Sequence, residues 1–128
     1  MALQPAVAEA IAELRTQFAS ATVEVREDGE GGAFVFVEPV DPGPQYVQRQ
    51  TWIGFRITFQ YPYADVYPHF VRGDLARADG ASLGEAMTTR NFEGHPTVQL
   101  SRRSNHLDPQ FDTAAIKLLK VLDWLRSR

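Results

Sequence analysis

Cysteine is absent from this chain. That absence excludes disulfides, thiolate metal sites and every mechanism built on a thiolate nucleophile. A basic excess is absent too: 13 Lys and Arg face 16 Asp and Glu, for a formal net charge of -3. A dedicated nucleic-acid binder carries a basic surplus, so no nucleic-acid partner is expected. No apolar run approaches the roughly 20 residues that cross a bilayer, so no membrane partner is expected either. The stretch from Met1 to Ala19 carries Glu9, Glu13 and Arg15 within its apolar pattern. It does not read as a secretory signal, and a cytoplasmic protein is the expectation. No internal repeat and no low-complexity tail is visible.

What is present fits one globular domain over residues 1–128, with 44% hydrophobic and 23% charged residues. Val7, Ile11, Leu14 and Phe18 recur at helical spacing and predict an amphipathic helix, with Pro5 in its first turn. Val23 and Val25 alternate with Glu24 and Arg26, which predicts a half-buried strand. The glycine-rich Asp28-to-Gly32 segment is a turn, and Ala33 to Val37 a second strand. Glu38 to Pro44 holds three prolines and reads as a loop. Thr51 to Phe59 is a third strand, with Ile53, Phe55, Ile57 and Phe59 on one face. Gly54 within it marks a close approach or a bulge.

Tyr61-Pro62 and Tyr67-Pro68 make the next segment extended and aromatic-packed. Phe70 and Val71 begin a short fourth strand. Ala76 to Gly94 is polar and reads as a long surface loop, with room for one helical turn at Leu83 to Met87. A second helix follows, capped by Asp108 with Pro109 at its first position, or by Asp112 if Pro109 belongs to a turn. Ile116, Leu119 and Leu122 share its face, and Leu118, Val121 and Leu125 widen it. Lys117, Lys120 and Arg126 lie toward the helix C-terminus, where cations are favoured. The expected fold class is therefore α+β: an N-terminal helix, an antiparallel sheet of about four strands and a C-terminal helix.

Two local patterns in that order resemble the ubiquitin-conjugating (UBC-like) family. The third strand runs into Tyr61-Pro62 and then Tyr67-Pro68-His69-Phe70-Val71, as the family's strand runs into its proline-rich segment. Either Pro68 stands for the family's last proline pair, or Tyr67-Pro68 for its tyrosine-proline. The second pattern lies in Gln99 to Pro109. The family's catalytic cysteine is followed by leucine, and a proline stands ten residues beyond the cysteine before a long helix. Here Leu100 follows Gln99, and Pro109 stands ten residues after it. Gln99 thus takes the place of the cysteine. His95-Pro96 is similar to the family's histidine-proline-asparagine, but Thr97 replaces the asparagine. The long 76–94 loop and the missing cysteine resemble divergent bacterial members of the family. Those are associated with ubiquitin-like proteins, activating enzymes and metal-dependent deubiquitinase-type peptidases.

The resemblance implies a non-catalytic binding or scaffold module in a bacterial ubiquitin-like conjugation system. Its partner would be a ubiquitin-like protein, an activating enzyme or another conjugation-pathway protein. A glutamine amide is not a nucleophile, so transthiolation is excluded whatever the alignment. Two alternatives stand beside this reading. One is an RWD-like structural interaction domain unrelated to ubiquitin. The other is an enzyme with non-cysteine chemistry between His95 and His106. There Ser101 or Ser104 would need an adjacent base, and Asn105, His106 and His95 are the remaining polar candidates. An open groove holding Ser101, Asn105 and His106 together would favour the enzyme. A buried Gln99 with no pocket would favour the structural domain. The three histidines are too scattered for a metal signature, so no metal and no cofactor is expected. Arg102-Arg103, with Arg90, reads first as a solvated loop and otherwise as a basic patch for an acidic tail or phosphate, and Trp124 could lie off the apolar face of the last helix.

Overall fold

The first amphipathic stretch forms helix α1 (Pro5–Gln17), and Val7, Ala10, Ile11 and Leu14 are its buried side chains. The computed structural model describes residues 2–128. Six strands follow: β1 (Thr22–Glu27), β2 (Ala33–Val40), β3 (Thr51–Ile57), β4 (His69–Arg72), β5 (Met87–Phe92) and β6 (His95–Leu100). Helix α2 (Ala114–Arg126) closes the chain. The strands form one sheet in the order β1-β2-β3-β4-β6-β5, and every neighbouring pair is antiparallel. Alternation of side chains divides the sheet into two faces. Val35, Val37, Ile53, Phe55, Ile57 and Val71 point to one side and are fully buried in the cluster that also holds both helices. Burial of each such side chain is worth about 1.5–3 kcal/mol, so this layer dominates the stability.

The sheet has six strands rather than about four as expected. The two extra strands come from the stretches around Gly94. Thr88 to Asn91 is exposed, because β5 is a sheet edge with a polar outer face. Its polarity conceals it as a loop. Glu93 and Gly94, at φ 49° and 82°, make the two-residue turn to β6 that suits the twist of a hairpin. No helical turn forms at Leu83 to Met87. The second strand also runs further than expected, through Pro39 to Val40, with a register irregularity after Val37. The third strand stops at Ile57, and Phe59 is exposed.

On the sheet face away from the helices, Phe34, Phe36, Trp52, Phe70 and Phe92 form an aromatic layer. Phe92 stacks on Phe70 at 4.2 Å between centroids and meets Phe36 at 5.6 Å. Gly54 is the close approach expected of it. A Cβ there would lie 3.0 Å from the Phe36 ring and 3.1 Å from the Phe92 ring. The hairpin tip therefore reaches across the sheet, and an ion pair between Glu93 and Arg26 of β1 fastens it.

Neither expected cap begins the last helix. Thr113 is the N-cap, its hydroxyl accepting from the Ile116 N–H at 3.2 Å. Asp108 and Asp112 instead close a turn of their own: the Asp112 carboxylate accepts from the Asp108 N–H at 2.7 Å. The expected face of α2 is also wrong in part. Leu118, Val121, Leu122 and Leu125 are buried, whereas Ile116 and Leu119 are 41% and 37% exposed. Steps of three residues fall about 60° short of a turn each, so the Ile116-Leu119-Leu122 row winds round the helix and reaches the core only at Leu122. Tyrosines pin both helix ends. Tyr61 Oη accepts from the Ala114 N–H at 3.0 Å, and Tyr46 Oη donates to the Leu125 carbonyl at 3.2 Å.

Candidate functional site

The segment from His95 to His106 does not assemble into one constellation. His95 opens β6 and sits with the aromatic layer, 5.9 Å from the ring centroids of both Phe36 and Trp52. Gln99 lies four residues along the same strand, half-buried, paired with Phe70 of β4 and Thr88 of β5. Its amide donates to Ser101 Oγ at 3.0 Å. Gln99 borders none of the clefts that the other residues of the segment line. Asn105 and His106 are exposed in the turn beyond, with His106 at φ 55°. Ser101 and His106 share no hydrogen bond among the described residues.

Ser104 is where the segment meets the rest of the protein. Its N–H donates to Asp65 Oδ2 at 2.7 Å and its hydroxyl to Asp65 Oδ1 at 2.8 Å. Lys117 of α2 donates to Asp65 Oδ2 at 3.1 Å and to Ser104 Oγ at 2.9 Å. Lys117 was expected near the end of its helix. Because α2 starts at Ala114, it lies instead in the first turn, on the apolar face, and is only 6% exposed. Burial pushes the Asp65 carboxyl up, but the two Ser104 hydrogen bonds and Lys117 outweigh this and leave it below the usual carboxylate range. Burial lowers Lys117 against the opposing pull of Asp65. The geometry is that of an ammonium donating to two acceptors, and an ammonium so placed is not a base. Ser104 resembles a nucleophile beside a lysine, yet its proton is given to a carboxylate that stays ionised.

A cleft of about 250 Å³ opens above this cluster, lined by Arg102, Arg103, Asn105, Asp112, Lys120 and Trp124 among others. Arg102 lies over the Trp124 ring at 5.2 Å, and Arg103 over the Tyr67 ring at 4.1 Å. Lys120 is 3.5 Å from Asp112. Arg102 and Arg103 have no carboxylate partner among the described residues. Trp124 is half-buried against the core rather than free of it.

His69 lies behind the cluster on the helix-facing side of β4, fully buried, with neither ring nitrogen hydrogen-bonded to a described residue. Its ring centroid is 5.0 Å from that of Phe55. Desolvation, with Lys117 adding to it and Asp65 opposing, pushes its pKa down to about 3. His69 is therefore neutral at physiological pH.

Asp65, Lys117 and Tyr67 escaped the sequence reading of the site. One signal was available for Lys117: it shares a face with Ala114 and Val121, and a lysine there requires a buried partner. Nothing local marked Asp65 as that partner. No helix is long and apolar enough to cross a membrane among the described residues. Comparison with family models, curated proteins and solved structures finds no match for this chain.

Proposed function

We propose that this chain is a non-catalytic binding or scaffold module of UBC-like architecture in a bacterial ubiquitin-like conjugation system. Its partner is a ubiquitin-like protein, an activating enzyme or another protein of that pathway. The non-catalytic half rests on one observation: the only serine of the segment with a neighbouring amine, Ser104, is held between Lys117 and an ionised Asp65. The chain has no cysteine, and Ser101, the other serine of the segment, accepts from the Gln99 amide and shares no hydrogen bond with a histidine or lysine among the described residues. The pathway half draws its support from the order of helix, antiparallel strands and helix, together with the Gln99-to-Pro109 spacing.

A specific observation favours a second reading. Gln99 is a paired strand residue outside the clefts, which suits an RWD-like structural domain unrelated to ubiquitin. One assay separates the two. The chain is mixed with an activating enzyme, ATP and a cognate ubiquitin-like protein, and both thioester and hydroxylamine-sensitive adducts are sought. The expected outcome is no adduct, with measurable binding to one of the two proteins. An adduct lost on Ser101→Ala or Ser104→Ala would replace the module with an enzyme. No adduct and no binding would leave the RWD-like reading.

A further inference from the structure

We propose that the cleft between residues 102–105 and α2 binds an acidic, extended peptide segment of a partner protein. This deepens the reading of the chain as a binding module and rests on it. The first ground is charge. The whole chain carries -3, yet this cleft is lined by four cations, Arg102, Arg103, Lys117 and Lys120, against one carboxylate, Asp112. Lys117 is neutralised from below by Asp65, and Lys120 is close to Asp112. Arg102 and Arg103 remain without a carboxylate. Two unpaired guanidinium groups in a cleft of an acidic protein attract anionic segments and repel basic ones.

The second ground is preorganisation. Each guanidinium lies over an aromatic ring, Arg102 over Trp124 and Arg103 over Tyr67. A cation–π contact restrains a guanidinium while leaving its N–H groups free for a carboxylate, so less rotamer freedom is lost on binding. Two rings on two different elements hold the two forks, which suits carboxylates carried on separate residues better than a single small oxyanion. The one convergent donor a small anion would want, the Lys117 ammonium, is already spent on Asp65 and Ser104. Asn105 supplies a neutral amide on the same wall, and Val121 with Trp124 supplies an apolar one.

The test uses the full chain and a capped hexaglutamate peptide, with affinity measured by calorimetry at ~20 mM salt, where screening is weak. Binding that weakens as salt rises is expected, and a hexalysine peptide should not bind. Arg102→Gln/Arg103→Gln should weaken hexaglutamate at least about tenfold, the size of two lost charge-assisted contacts. Arg49 and Arg90 do not line the cleft, and Arg90 lies on β5, not with Arg102 and Arg103 as its sequence grouping suggested. Arg49→Gln/Arg90→Gln therefore removes the same charge elsewhere and should change affinity less than about twofold. Equal losses in the two double variants would mean diffuse attraction and overturn the proposal, as would absence of binding at low salt. Inorganic phosphate at matched ionic strength should displace the peptide no better than chloride; preferential displacement would make this a small-anion site and also overturn it. Should the cleft double variant lose its far-UV spectrum, Lys120→Gln takes its place, with a twofold or greater weakening in support and none against. Hexaglutamate binding without any conjugation-pathway partner keeps the cleft and removes the pathway. A pathway partner bound equally well by the cleft double variant keeps the pathway and removes the cleft.

Discussion

A lysine on the apolar face of a helix needs a counter-charge, and Lys117 finds it in Asp65, 52 residues away in sequence. The asymmetry of such pairs sets the first prediction. Asp65→Asn leaves a nearly buried ammonium without its anion and should cost about 1–3 kcal/mol, less than for a fully buried pair because Asp65 keeps some exposure. Lys117→Met keeps the packing and leaves Asp65 its two Ser104 hydrogen bonds, so it should stay within about 1 kcal/mol of wild type. Urea denaturation of the two variants checks the order, and a costlier Lys117→Met would mean that the lysine, not the carboxylate, is the indispensable member. His69 sets the second prediction. Its folded pKa of about 3 lies below the unfolded value of 6.5, so the unfolded chain takes up a proton first. The stability His69 allows is therefore full above pH 6.5 and falls as pH drops from there toward 3. Between pH 7 and pH 5 the loss from this residue should be about 2 kcal/mol. A His69→Leu variant should show a correspondingly flatter profile in that window, and an unchanged slope would show that the ring titrates freely in the folded state. At this scale little was legible in advance. His95, Gln99, Ser101, Asn105 and His106 are neighbours in sequence, yet only Gln99 and Ser101 meet, because β6 extends the chain away from His95 and the following turn leaves Asn105 and His106 exposed. The residues that do meet, Asp65, Ser104 and Lys117, come from three separate segments.

Strong periodicity made α1 and the first four strands readable. Weak or misleading periodicity accounts for the rest. An edge strand such as β5 buries almost nothing, so Thr88 to Asn91 carry no alternation to read. Its clearest trace was the Glu93-Gly94 pair, a turn sequence that only the fold identifies as a hairpin. Asp108-Pro109 has the letters of a helix start, yet its bonds close a turn five residues ahead of the true cap at Thr113. The face of α2 is the element-level error with a measurable consequence. Leu118→Ala removes a side chain at 0% exposure and should cost about 2–5 kcal/mol. Leu119→Ala, one residue on, is 37% exposed and should cost only about 0.5–1 kcal/mol. Paired denaturation curves decide the matter: comparable losses would place both leucines in the core and return the helix to the orientation its sequence suggested.

At the scale of the whole molecule, one sheet separates two environments. The helix side is a single, mainly aliphatic cluster, with Phe55, Tyr46 and Tyr61 among its members, that draws on both helices and every strand. The other side is the aromatic layer spanned by the hairpin tip, which joins edge strand β1 to β5 through Arg26 and Glu93. Since β2, β3 and β4 contribute side chains to both layers, neither layer can be lost while the other persists. The two tryptophans happen to report on opposite sides. Trp52 packs in the aromatic layer, 5.6 Å from Phe36, and Trp124 lies on α2 at the cationic cleft. Single-tryptophan variants Trp52→Phe and Trp124→Phe should therefore follow urea unfolding with the same midpoint and slope as each variant's own far-UV signal, as one cooperative unit requires. Were the signal of Trp124 to move at lower urea than the far-UV signal of the same variant, α2 and the cleft would open ahead of the sheet. The cleft would then be a mobile surface rather than a preorganised one, and the ring-seated arginines would lose the advantage argued for them. Coincident transitions tie the cleft to the full stability of the fold, because the ring that orients Arg102 is then held as firmly as the sheet beneath it.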